Sequence, residues 1–164
     1  MALEHTDRSQ QSGGPAPDLK AQLVADHAAL EGILSKLANT LESNAPTPQL
    51  CDEWTRFERS LRDHLDTEER LIFPILANAD RGEVEALRKD HQHIRNALAE
   101  LGVAVELHVL RKASVDELIC FLHEHSQREE RWAYRCVENH AASHRPLRAM
   151  FERRAARHEL DQTR

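Results

Sequence analysis

Aromatic residues make up only 4% of this 164-residue chain, and glycine (5) and proline (6) are scarce. A β-sandwich or barrel needs more aromatic and β-branched side chains and more turn residues, so those folds are disfavoured. No apolar run approaches the roughly 20 residues of a membrane span. The opening stretch, MALEHTDRSQQSGGPAP, lacks the apolar segment of a signal peptide. Positive charge is not in excess: 22 Lys and Arg stand against 28 Asp and Glu, a net −6, which argues against nucleic acid as a partner. The three cysteines, Cys51, Cys120 and Cys136, form no CxxC pair. They read as reduced thiols of a cytoplasmic protein, packed as small hydrophobes. What is abundant is Ala, Leu, Glu and Arg, the composition of a soluble helical protein. Histidine is also unusually frequent, at 11.

Residues 1–17 carry almost nothing to bury and read as a disordered leader. Four segments then show the 4,3,4,3 spacing of helices that bury one stripe. These stripes are Leu23, His27, Leu30, Leu34, Leu37, Leu41; Leu50, Trp54, Phe57, Leu61, His64, Glu68, Leu71, Ile75; Leu87, His91, Ile94, Leu98, Leu101, Val105; and Leu118, Leu122, His125, Glu129, Trp132, Cys136. Pro46 and Pro48 stop the first helix, and Thr47 can cap the second. Pro74 kinks or ends the second helix. Asp80-Arg81-Gly82-Glu83 and Ser114-Val115-Asp116-Glu117 read as capping boxes of the third and fourth. Short connections predict an up-down-up-down four-helix bundle over residues 18–144. An Arg-rich C-terminal helix or tail follows over residues 145–164.

Six stripe positions are not apolar: His27, His64, Glu68, His91, His125 and Glu129. A buried carboxylate without a partner costs on the order of several kcal/mol, unless it is paired, protonated or bound to a metal. Each glutamate follows a histidine by four residues, so each pair projects from one helix face. Glu69 and Glu130, one residue further on, turn away by about 100° and serve as outer-sphere or alternative ligands. Counting from the loops places all six near one level, to within about a turn. A lone core histidine is usually just a satisfied core residue, but six such residues on four helices point to a cation. His93, His108, His123, His140, His144 and His158 read as lying away from the layer. Tyr134 falls off its stripe and receives no hydrogen-bonding role, while Trp54 and Phe57 read as core.

The pattern is also duplicated. Asp26-His27 recurs 64 residues later as Asp90-His91, and His64…Glu68-Glu69-Arg70 recurs 61 residues later as His125…Glu129-Glu130-Arg131. Two such hairpins place the ligands about a pseudo-twofold axis, which suits two ions that share two carboxylates. Imidazole with carboxylate suits Fe, Mn or Zn, and bridging carboxylates favour a redox-active pair over a structural zinc. Two glutamates do not neutralise two divalent ions, so an oxo or hydroxo bridge supplies much of the balance.

With its lone His, HxxxE, lone His, HxxxE order and the phrase HLDTEERLIFP, the chain resembles the hemerythrin-like proteins of the HHE cation-binding type over roughly residues 20–140. That resemblance implies a non-haem di-iron centre. His27, His64, His91 and His125 would be its terminal ligands, and Glu68 and Glu129 its bridges. The oxygen-carrying hemerythrins have a further histidine where this chain has Arg95, and an Asp at the position of Glu130. These departures point away from simple oxygen carriage. The expected function is binding or sensing of oxygen, nitric oxide or peroxide, or iron handling. The rival is a di-iron enzyme of oxidase, peroxidase or nitric-oxide-related iron-sulfur repair type.

Overall fold

The computed structural model describes residues 19–43 and 47–136, and among them there is no strand. The expected leader (1–17), the C-terminal tail (145–164), and His140, His144 and His158 lie outside the described residues. The four expected helices form. α1 is Leu19–Glu42 and α2 is Thr47–Thr67. A π turn, Glu68–Ile72, joins α2 without a break to the short α3, Phe73–Leu76. α4 is Arg81–Glu106, and α5, Lys112–Arg128, continues into a second π turn, Glu129–Ala133. Contacts run α1 to α2, α2 to α4, α4 to α5 and α5 back to α1. With short connections, that ring is the four-helix bundle, each rod antiparallel to its neighbour in sequence.

The apolar stripes fold into two clusters. One holds Leu34, Leu37, Trp54, Phe57, Leu61, Leu98, Val115 and Leu118. The other holds Leu23, Ile72, Phe73, Leu76, Leu87, Ala133 and Tyr134. The six polar stripe residues are all buried and sit between Leu30, Leu61, Ile94 and Leu122 of the first cluster and Leu23, Ile72, Leu87 and Ala133 of the second in sequence position.

Several local expectations need correction. Asp80 caps α4, its carboxylate accepting from the backbone N–H of Gly82 and Glu83. Its own N–H already donates to the Leu76 carbonyl, so the reciprocal half of a capping box has no free donor to serve. Ser114 caps nothing. α5 starts three residues earlier, after Arg111, because His108 at φ 59° turns the chain sharply out of α4. Pro74 follows directly on the π turn and stands two residues before the second helix ends at Leu76, near the C-terminus as expected. Of the cysteines, half-buried Cys51 and Cys136 pack against the two clusters, and only Cys120 is exposed. No helix among the described residues is long and apolar enough to cross a membrane.

Candidate metal centre

Each rod brings polar side chains to the same layer: His27 from α1, His64 and Glu68 from the second rod, His91 from α4, and His125 and Glu129 from the fourth. Glu68 and Glu129 are each 1% exposed and His91 is 0% exposed. Their nitrogens and oxygens converge. His27 Nε2 lies 2.9 Å from His64 Nε2 and 3.2 Å from Glu129 Oε2. Glu68 Oε2 is 3.4 Å from both His64 Nε2 and His91 Nε2. Glu129 Oε1 is 3.4 Å from His125 Nε2 and 3.7 Å from His91 Nε2. Two overlapping donor sets result, His27/His64/Glu68/Glu129 and Glu68/His91/His125/Glu129, each with its ligand atoms within 4.8 Å of one another.

Two donors bound to one ion at about 2.1 Å stand roughly 3.0 to 3.4 Å apart in octahedral or tetrahedral geometry. Most of the separations above fall near that range. Glu129 turns one oxygen toward His27 and the other toward His91 and His125, so a single carboxylate faces both sets. Buried Glu68 Oε2, His91 Nε2 and His125 Nε2 have no hydrogen-bond partner among the described residues. Orphaned buried polar atoms aimed at a common point are what a cation would satisfy. The donor set therefore fits a metal ion in each half.

Residues 18–108, more than half of the chain, match the hemerythrin HHE cation binding domain. The chain belongs to the hemerythrin HHE cation-binding family. No curated protein and no solved structure matches it. The family match ends before α5, so His125 and Glu129 of this hemerythrin-family chain are placed by its own geometry and by the internal repeat rather than by the match.

The outer contacts of the four histidines differ. His91 Nδ1 lies 2.9 Å from Glu69 Oε1, which also accepts from Arg95 at 2.6 Å. Arg95 reaches on to Asp66 at 2.8 Å. Thus Glu69 stands behind His91, outside the two donor sets, and Arg95 turns to Glu69 and Asp66. His125 Nδ1 lies 3.5 Å from Asp90 Oδ2, which is bound by Arg128 at 2.7 Å. Glu130 is half-buried and acts on His27 through its charge.

Burial works against the His91 imidazolium, but the adjacent Glu129 and Glu68 carboxylates outweigh it and raise its pKa to about 10. Burial likewise opposes a charged His27, and Glu129 reverses the sign, so its pKa is raised. For His64, burial wins and the pKa is lowered. Burial opposes ionisation of Glu129, yet the charge of His125 and the adjacent His27 and His91 rings hold its carboxyl well below the usual range. The metal-free layer is thus a buried, charge-compensated network.

Tyr134 is where reading the sequence failed. It is 1% exposed, and its hydroxyl lies 3.2 Å from Glu68 Oε1, 3.4 Å from Glu129 Oε2 and 3.2 Å from His27 Nε2. The cause is the π turn: the Tyr134 N–H donates to the Glu129 carbonyl five residues back. One extra residue in that turn carries Tyr134 onto the buried face and leaves Trp132 and Cys136 half-buried. The Phe73 N–H donates to the Glu68 carbonyl in the same way, burying Ile72 and Phe73 in place of Leu71. Pro74 cannot be the common cause, because Arg135 stands at the matching position. A readable signal did exist, an aromatic residue five after each HxxxE glutamate.

A small cavity with about 10 Å³ of space for a water centre abuts the layer, lined by His27, His64, His125, Leu30, Leu61 and Leu122 among others. A wider surface groove of about 660 Å³ reaches His125 from outside, with Arg128, Arg131, Glu83 and Trp132 among its walls.

Proposed function

We propose that the chain holds a pair of iron ions bridged by Glu68 and Glu129, and uses that pair to bind or sense a small diatomic molecule or peroxide in the cytoplasm. The observation that carries this reading is Glu129, whose two oxygens face the two histidine pairs separately. His27 and His64 would hold one ion, and His91 and His125 the other. Manganese and zinc accept the same donors. A bound iron pair would supply redox electrons and open coordination positions. The chain's own residues supply the setting. Leu30, Leu61 and Leu122 line the small cavity beside three of the histidines, whose free space is about that of one water molecule.

Elemental analysis of protein purified without chelators tests the reading. About two irons per chain, followed by a spectral change when the reduced protein meets oxygen or nitric oxide, is the expected result; less than one metal of any kind after anaerobic reconstitution would refute it. A second reading, a di-iron oxidase or peroxidase, draws support from the groove that brings solvent up to His125. Repeated consumption of a reductant and an oxidant, rather than a single binding event, would favour it.

A further inference from the structure

Phe73 and Tyr134 are 61 residues apart, the same interval that separates Glu68 from Glu129 and His64 from His125. Each sits at the end of a π turn, five residues after its glutamate, and each lays its ring near the lone histidine of one half. Phe73 lies 4.9 Å from the His91 ring at 33°, and Tyr134 lies 5.7 Å from the His27 ring at 26°. The two positions are therefore equivalent in backbone and packing and differ in one atom. That atom, Tyr134 Oη, sits 3.2 Å from His27 Nε2, 3.2 Å from Glu68 Oε1 and 3.4 Å from Glu129 Oε2. His27 Nε2 and Glu129 Oε2 are themselves 3.2 Å apart. Ordinary hydrogen bonding would give the hydroxyl one acceptor at about 2.7 Å. Instead it stands at 3.2 to 3.4 Å from His27 Nε2, Glu68 Oε1 and Glu129 Oε2, the spacing of ligands around one ion, with His27 Nδ1 of the same ring at 3.3 Å.

We propose that Tyr134 is a further metal donor, through its phenol oxygen, to the ion held by His27 and His64, and that the His91/His125 half, with Phe73 in the equivalent place, has no such donor. The assignment rests on the iron-binding reading above. Coordination of a ferric ion at Oη releases the phenol proton to solvent, as metal binding at other protonated ligands does. It gives the two halves different donor sets, with five candidate donor residues in one and four in the other.

Tyr134 is the single tyrosine of the sequence, so a tyrosinate signal has one source. The test is absorption and resonance Raman spectroscopy of the Fe(III)-loaded full chain and of Tyr134→Phe, with iron content measured on the same samples. The expected result is a visible phenolate-to-iron charge-transfer band carrying tyrosinate vibrations in the parent. It disappears completely in Y134F, while at least one iron per chain remains. About two irons in the parent without that band would overturn the phenol donor and leave the metal centre standing. Less than one iron in the parent would overturn the centre and the phenol donor together.

Discussion

The two halves of the metal layer share a ligand pattern and differ in what stands behind it. In the His91/His125 half, both Nδ1 atoms face carboxylates, Glu69 at 2.9 Å and Asp90 at 3.5 Å, and each carboxylate is anchored by an arginine. In the His27/His64 half, the Tyr134 hydroxyl lies against the His27 ring, and Asp26 acts on His64 through its charge. A carboxylate behind a ligating imidazole fixes its orientation and raises its basicity. The halves therefore differ most at their lone histidines: a carboxylate, Glu69, stands behind His91, whereas His27 has the Tyr134 phenol beside its ring. Duplication explains the common pattern of the six residues, whereas the residues just outside it decide how alike the two sites are.

The largest effect should come from breaking what the halves share. Glu129→Ala removes the carboxylate that faces both, so metal content should fall from about two per chain to below one, whereas His27→Ala should remove only about one. A site filled at a hundred times its Kd adds about 2.7 kcal/mol to native stability. The thermal midpoint should therefore drop roughly twice as far in Glu129→Ala as in His27→Ala. Equal losses in the two variants would mean that the halves fill as one unit.

Next comes the carboxylate behind His91. Glu69→Gln keeps the shape but withdraws the charge behind His91 and leaves Arg95 without it. Losing such a partner costs about 10- to 100-fold in metal affinity, and calorimetric titration should show this for one of two binding events only. Protons compete at the same histidine. With its pKa raised to about 10, His91 is protonated in the metal-free chain at pH 8, where an ordinary imidazole of pKa about 6.5 is almost all neutral. That charge contributes to metal-free stability fully below pH of about 6.5 and is lost as pH rises through about 10. Metal must expel the same proton, so loading at pH 8 should release at least one proton. Affinity at this half should then fall about tenfold for each pH unit lowered. Titrations in buffers of different ionisation enthalpy would check the proton count.

Most of this layer was legible in the sequence because a straight helix turns spacing directly into direction. His27, His64, Glu68, His91, His125 and Glu129 all sit on stripes of regular period, and all six are buried together. The departures begin one residue after each glutamate, where the backbone bond lengthens from four residues to five. A π turn has no propensity signature of its own and is stabilised by tertiary packing. Counting by fours and threes therefore carries Leu71 and Trp132 inward and leaves Tyr134 outside. The cap at Asp80 was readable for the opposite reason: its bonds are local to four residues. The failure at Ser114 came from His108, whose left-handed backbone shortens the loop in a way no capping motif encodes.

The smallest expected effect tests whether the distance behind a histidine matters as well as the charge. Asp90 supports His125 as Glu69 supports His91, but at 3.5 Å rather than 2.9 Å. Burial opposes ionisation of Asp90, and the interactions with His125 and Arg128 still hold its carboxyl below the usual range, so it stays charged near neutrality. At the longer separation the carboxylate orients the ring weakly and acts mainly through its charge, which solvent beside the open groove screens. Asp90→Asn should therefore weaken the His91/His125 site by several-fold, less than the roughly 10-fold lower limit expected for Glu69→Gln. Arg128, half-exposed, can turn its charge to water, so stability without metal should barely change. A loss equal to that of Glu69→Gln would show that the two carboxylates act through charge alone. The asymmetry between the halves would then reduce to a count of negative groups.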